Sequence, residues 1–179
     1  MSQLGLWHEK TGKSPYTNQT GIFKTYNISG AAFMIKTQLF EQLGFFDEYY
    51  FFCPEDIALS TVLNKLGYFC YVNASAEVIH FEGASGGKHI SQIQTATMPA
   101  GEKGTIRFLA GSSSVSYILL TCFTCIMASL RSLKYRLKSK TSGDNASIIS
   151  KANRNVAAAL LTKKTPKEIF VKYYGRIKR

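Results

Sequence analysis

The sequence predicts an α/β domain followed by a helical, basic tail. Two observations favour this class. Short apolar runs typical of strands alternate with helically spaced runs in the first part of the chain, and the second part holds a long uncharged run followed by basic segments. The 179 residues, 45% of them hydrophobic, are enough to bury a core. We therefore expect two modules, residues 1–100 and 101–179.

The net charge divides at the same place. Residues 1–100 contain six Lys/Arg and eight Asp/Glu, whereas residues 101–179 contain 16 Lys/Arg and three Asp/Glu, so the net charges are −2 and +13. Positive charge concentrated in one segment is typical of contact with an anionic surface, either lipid headgroups or nucleic acid. The four cysteines, with no signal peptide in the sequence, favour free thiols in a reducing compartment.

The first module begins with polar sequence. Residues 1–27 show no apolar period and are expected to be irregular. The apolar run 28–35 predicts a buried strand, with a close backbone approach at Gly30. Residues 36–43 predict a short helix that ends at Gly44.

An aromatic loop and a longer helix come next. The segment 44–55 is rich in Phe and Tyr and predicts a loop with aromatic walls. A helix begins at Pro54 and ends at Gly67, because four apolar residues between them have the spacing of one buried helical face: Leu59, Val62, Leu63 and Leu66. Two short strands and a flexible glycine-rich run follow, at 68–72, 76–81 and 83–87.

The tail contains 23 consecutive residues without a formal charge, between Arg107 and Arg131. Its strongly apolar part, residues 115–130, would form a helix about 24 Å long, which is short for a bilayer span. Because basic residues follow it, the pattern predicts a helix lying in the plane of a membrane. A buried packing helix and a true span remain alternatives. A last helix starts at Pro166, after a capping box of the form Thr-x-x-Glu.

Three residues are candidates for chemistry. Glu55 and Asp56 stand at the start of a helix beside the aromatic loop, and His80 follows a predicted strand. A carboxylate near aromatic walls can take a proton from a hydroxyl group. Acidic residues in a first helical turn are also common because they interact favourably with the helix dipole, and a single histidine is more often structural, so both alternatives stay open.

Five ordered motifs resemble the acceptor half of family 2 glycosyltransferases, with rhamnosyltransferase-like members nearest. The motifs are S-G-A-A-F-M-I, L-G-F-F-D-E, P-E-D-I-A-L, K-L-G-Y and A-E-V-I-H, at residues 29–35, 43–48, 54–59, 65–68 and 76–80. The resemblance implies a partial GT-A fold. It also implies inverting transfer of a sugar from a nucleotide-diphosphate sugar to an acceptor hydroxyl in surface polysaccharide synthesis.

The resemblance further implies a role for individual residues. Asp56 would be the general base, Glu55 would lie beside it in the acceptor site, and His80 would help to hold a divalent metal, Mg²⁺ or Mn²⁺. The expected substrate-binding residues are Gly30, Phe46, Asp47, Glu48 and Ser85. From composition alone, the aromatic loop that contains Phe46 fits core packing as well as a sugar wall, and the glycine-rich run around Ser85 fits a surface turn.

Two features depart from the family pattern. Ala58 stands where the family often has a second acidic residue, and the sequence contains no Asp-x-Asp motif of the kind found in the family's donor half. We therefore expect an incomplete chain whose donor site needs a separate donor half. The alternative functions are a non-catalytic remnant or split subunit with a membrane-binding tail, and a basic nucleic-acid-binding protein.

Lipid is favoured over nucleic acid as the anionic partner. The basic residues adjoin a long apolar run and are not interleaved with aromatics. The expected partners are thus a nucleotide-sugar donor, a saccharide or lipid-linked acceptor and an anionic membrane surface. The expected location is the cytoplasmic face of a bacterial inner membrane.

Overall fold

The structure is a computed structural model that describes residues 19–79, 90–142 and 144–177. An N-terminal region, residues 19–79, contains two strands and two helices, and a helical region, residues 90–177, contains four helices. In chain order the elements are β1 (Ile22–Thr25), α1 (Thr37–Gln42), α2 (Glu55–Lys65), β2 (Cys70–Asn73), α3 (Ile90–Ala110), α4 (Ser114–Ser142), α5 (Asp144–Leu160) and α6 (Pro166–Tyr174).

The two strands form an antiparallel pair in which Ile22 lies opposite Asn73 and Thr25 opposite Cys70. The strand predicted at 68–72 is confirmed as β2, shifted by two residues at its start. The prediction of irregular structure up to residue 27 is wrong for β1. Four residues are too few to show a period in the sequence, so β1 is defined by its pairing with β2.

The strand predicted at 28–35 is wrong, because the structure has no strand there. The backbone N–H of Ile28 donates to Ser60 Oγ, and that of Gly30 donates to Asp56 Oδ2. These amides are satisfied by side chains of α2, so they need no neighbouring strand. The strand predicted at 76–81 is likewise absent over 76–79, and its last two residues lie outside the described part of the chain.

Both predicted helices of the N-terminal region are confirmed. Helix α1 is followed by Gly44 at a φ of +76°, and α2 by Gly67 at +84°, both left-handed conformations that favour glycine. Pro54 precedes the first helical residue and does not occupy it. The buried face of α2 is narrower than predicted. It consists of Ala58, Leu59, Ser60 and Leu63, and Val62 and Leu66 are exposed.

Small residues join the helices of the helical region. Helices α4 and α5 run antiparallel, with Ser132 Oγ donating to Ser150 O at 2.9 Å and the Cys125 thiol contacting Ala157 O. Helix α3 packs on α5 and α6 through a cluster of Ala96, Ala100, Ala159, Ile169 and Tyr173. The capping box of α6 is confirmed, with Thr165 and Glu168 bonded reciprocally. The module boundary predicted at residue 100 falls inside α3, and the two-module organisation stays a prediction.

Candidate functional site

Asp56 lies in the first turn of α2, where the backbone N–H groups of a helix have no intrahelical partners. Its Oδ2 accepts from the N–H of Gly30 at 2.9 Å, and its Oδ1 accepts from the N–H of Ile57 at 2.8 Å. Each carboxylate oxygen of an ionised aspartate can accept a second bond, so the group remains able to accept a hydroxyl proton.

Two further polar residues of α2 fix the segment that carries Gly30. Ser60 Oγ is buried, accepts from Ile28 N at 3.1 Å and donates to the carbonyl of Asp56 at 2.7 Å. Asn64 Nδ2 donates to the carbonyl of Tyr26 at 2.8 Å. The spacing of apolar residues in α2 did not identify Ser60 and Asn64. Ser60 and Asn64 follow Asp56 by four and eight residues, which places all three on one helical face and is the signal that identifies them.

Helix α3 supports the backbone that leads into α2. A Cβ atom added at Gly104 would lie 2.6 Å from the carbonyl oxygen of Cys53, and one added at Gly101 would lie 3.0 Å from that of Phe52. Only glycine permits such a close approach. The sequence analysis missed both glycines, although two glycines three residues apart on one helical face are a usable sign of close packing.

Helix α6 also contacts the aromatic loop. The ring of Phe51 lies 5.2 Å from that of Phe170, which in turn stacks on Tyr174. The loop before Asp56 is therefore held by both α3 and α6. The start of α2 thus depends on the helical region for its position.

The side chains next to Asp56 differ in what they can do. Cys53 is exposed, but partial desolvation of its thiol, followed by the charges of Glu55 and Asp56, raises the pKa of the thiol, so it stays protonated at neutral pH. Glu55 is half-buried, and its Oε2 is buried without a hydrogen-bond partner among the described residues.

The other predicted substrate-binding residues do not gather around Asp56. Phe46 packs edge-to-face on Phe33 and Phe40, within the cluster around Leu59. Asp47 Oδ1 accepts from the N–H of Tyr49, two residues further on. Glu48 is exposed. Of the predicted set, the structure joins Gly30 and Asp56 by a hydrogen bond. Substrate binding stays a prediction for every residue of the set.

A cavity in the described part of the chain, which we call the Arg107 cavity, lies on the other side of α2. It has a volume of about 720 Å³ and is lined by charged and aromatic side chains that include Asp47, Tyr50, Lys65 and Arg107. Burial, together with the Asp47 charge, raises the pKa of Tyr50, so its hydroxyl stays protonated. Lys65 is nine residues from Asp56, about 180° around the helix. Asp56 does not line this cavity.

His80, the predicted metal ligand, and Ser85 lie outside the described residues. Within the described ranges, no three His, Cys, Asp or Glu side chains are grouped closely enough to hold a metal ion. The residues described therefore do not form a metal site by themselves.

The chain matches no family model and no solved structure. Over 87 residues it is 34% identical to the N-acetylglucosaminyl-diphospho-decaprenol L-rhamnosyltransferases of Mycobacterium tuberculosis strains CDC 1551 / Oshkosh and H37Rv. The match covers 49% of this chain and 27% of each relative, so the chain spans about a quarter of the length of these curated relatives. This partial similarity supports a glycosyltransferase-like function.

Proposed function

We propose that the chain supplies the acceptor side of an inverting glycosyltransferase, with Asp56 as the general base. The observation that carries the proposal is the half-buried Asp56 carboxylate, held at a helix start by the N–H groups of Gly30 and Ile57. The similarity to rhamnosyltransferases supports the same assignment from the sequence. The Arg107 cavity lacks a carboxylate held in this way, because its Asp47 is exposed and bonds within its own turn.

In the proposed reaction, Asp56 takes the proton of the acceptor hydroxyl. The hydroxyl oxygen forms a bond to the anomeric carbon of the donor sugar, while the bond from that carbon to the diphosphate oxygen breaks. The leaving nucleoside diphosphate takes the electron pair, and attack from the opposite face inverts the anomeric centre. Proton removal by a positioned side chain contributes roughly 10²- to 10⁴-fold to rate. Glu55 would lie beside Asp56 in the acceptor site.

The proposal includes a divalent cation, Mg²⁺ or Mn²⁺, on the resemblance alone. When bound, such an ion neutralises the charge of the departing diphosphate. His80 would be its ligand in this chain, and the remaining ligands would come from a donor half that carries an Asp-x-Asp motif. Chelation of divalent cations is expected to abolish transfer, and re-addition of Mg²⁺ or Mn²⁺ to restore it.

We propose a lipid-linked saccharide as the acceptor, in surface polysaccharide synthesis at the cytoplasmic face of a bacterial inner membrane. The named relatives transfer rhamnose to N-acetylglucosaminyl-diphospho-decaprenol, a saccharide on a lipid diphosphate. The charge of +13 on residues 101–179 supports contact with an anionic bilayer.

The test is a transfer assay followed by mass spectrometry of the product. The full chain is incubated with nucleotide-diphosphate sugars and an N-acetylglucosaminyl-diphospho-lipid, alone and with a separately expressed donor-binding half of a family 2 glycosyltransferase. We expect transfer only in the mixture, its loss in Asp56→Asn, and its retention in Glu41→Gln, which changes an exposed carboxylate outside the predicted site. Equal transfer by wild type and Asp56→Asn would contradict the proposal.

A non-catalytic acceptor-binding subunit is the second candidate. It is favoured by Ala58, which stands at the usual position of a second acidic residue. Acceptor binding without transfer in any mixture would support this candidate over the enzyme.

A further inference from the structure

Helix α4 exposes a continuous row of large apolar side chains, which we call the apolar stripe. Each member is between 55% and 68% exposed. Over 22 residues of helix the row is about 33 Å long, and its members fall within one side of the helix at 100° per residue. The stripe consists of Val115, Ile118, Leu119, Phe123, Ile126, Leu130, Leu133 and Leu137.

The opposite side of α4 is occupied by α5. Ala128 is buried there, Cys125 contacts Ala157, and Ser132 and Ser150 exchange hydrogen bonds. The core that includes Ile106 and Val156 continues this packing towards α3. Among the residues that the structure describes, nothing covers the apolar stripe after α4 has packed in the fold. Contiguous apolar surface of this size on a soluble chain usually marks an interaction site.

Helix α4 is long and apolar enough to cross a membrane over Ser114–Ser139, by length and composition alone. The neighbour α5 argues against that placement. The antiparallel contacts put Lys151 and Arg154 of α5 level with residues 128–131 of α4, close to the middle of the candidate span. Both side chains are exposed. Charged side chains facing lipid near the bilayer centre are strongly unfavourable, so a span would have to break the α4–α5 packing.

We propose that the apolar stripe binds an anionic lipid bilayer with α4 lying in the plane of the membrane. Charge complementarity identifies lipid as the occupant. Lys134 and Arg136 lie about 80° around the helix to either side of the centre of the apolar stripe. From these positions their long side chains can reach lipid headgroup phosphates while the apolar side chains enter the acyl region. The inference is independent of glycosyl transfer, because it rests on α4 and its neighbours.

The test is flotation of the full chain with sealed vesicles of phosphatidylcholine, with and without phosphatidylglycerol. We expect binding to the anionic vesicles, weakened by high salt. Replacing Ile126 and Leu130 by Asp should weaken binding by about tenfold or more per side chain, from the apolar area lost. Leu161→Asp, at an equally exposed apolar residue outside the stripe, is the matched control and should bind as wild type. Circular dichroism confirms that each variant is folded.

Thiol labelling of the wild-type chain reports the orientation. Cys122 and Cys53 are both exposed, and Cys122 lies along the stripe. Vesicles should protect Cys122 from a water-soluble maleimide and leave the labelling rate of Cys53 unchanged. Protection of Cys122 without vesicles, together with a dimer in sedimentation, would overturn the proposal in favour of a second copy. Protection of residues 144–177 from trypsin by sealed vesicles would overturn it in favour of a span. Failure to float at low salt would overturn it outright.

Discussion

The two regions of the molecule are held together in different ways. In the helical region, small residues such as Ala128, Ala159 and Ser150 let helices approach closely. In the N-terminal region, polar side chains of α2 bond the backbone of residues 26–30, and the two-stranded sheet leaves Ile22 and Tyr71 exposed. The site around Asp56 is therefore held by hydrogen bonds between side chains of α2 and backbone. Its support from behind comes from α3 and α6, which contact the loop before α2.

The contact between α3 and the loop before α2 joins the two regions and should be the most sensitive point. Gly104→Ala puts a Cβ atom 2.6 Å from the carbonyl oxygen of Cys53, so backbone must move. We expect a loss of about 3 kcal/mol in the free energy of unfolding, measured by urea denaturation. Gly30→Ala is the control, because its Cβ would make ordinary 3.6 Å contacts with Asp56. Equal stability of the two variants would show that α3 does not fix the loop.

Ser60→Ala tests the polar bonds of the N-terminal region. It removes the acceptor of the Ile28 N–H and the donor to the Asp56 carbonyl from a fully buried position. We expect a loss of about 2 kcal/mol in the free energy of unfolding. Ser129→Ala, which removes an exposed hydroxyl bonded to Cys125 O, should change it by less than about 0.5 kcal/mol. A Ser60 variant as stable as wild type would mean that these bonds do not organise the segment.

The N-terminal cap of α6 tests the stability of the helical region. Thr165→Ala removes the side-chain acceptor of the Glu168 N–H. Because the cap satisfies an N–H group at the start of α6, we expect a loss of about 1 kcal/mol in the free energy of unfolding, measured by urea denaturation. Thr165→Ser keeps the hydroxyl and should restore most of the stability. Equal stability of Thr165→Ala and Thr165→Ser would show that the Thr165 hydroxyl does not stabilise α6.

The smallest expected effect is the pH dependence of the same cap. Hydrogen bonds from the Thr165 backbone and side chain lower the pKa of Glu168. A carboxyl whose folded-state pKa is lowered adds stability above its unfolded pKa and loses it as pH falls through the folded value. The stability difference between wild type and Glu168→Gln should therefore shrink on acidification. A difference that stays constant from neutral to acidic pH would contradict this assignment.

Sequence patterns predicted helices α1, α2 and α6 and a helix over the apolar part of α4, missed α3 and α5, and predicted the strands poorly. Helices α1, α2 and α6 carry their own end signals, in Gly44, Gly67 and the capping box, so local sequence was enough. The run 28–35 is apolar like a strand, but the amides of Ile28 and Gly30 bond to α2, which is distant in sequence. Contacts of that kind, like the fit of Gly104 against Cys53, depend on tertiary packing that periodicity does not contain.

The sequence predicted the candidate site only in part, because some of its contacts depend on tertiary packing. Asp56 and Gly30 belong to ordered motifs, and the structure joins them at 2.9 Å. The motifs also nominated Asp47 and Phe46, which the loop directs to the Arg107 cavity and to the core. The loop changes direction at Phe45, whose φ is +66°, a conformation that no pattern of residue types announced.

The central claim is that an acceptor hydroxyl meets Asp56 and not the Arg107 cavity on the other face of α2. Nuclear magnetic resonance of the ¹⁵N-labelled chain, titrated with N-acetylglucosamine 1-phosphate, tests it without requiring turnover. The account predicts shifts of the Gly30 and Ile57 amide signals that are weakened in Asp56→Asn and kept in Glu41→Gln, a variant at an exposed carboxylate outside the predicted site. Shifts confined to residues around Lys65 and Arg107, unchanged by Asp56→Asn, would contradict it.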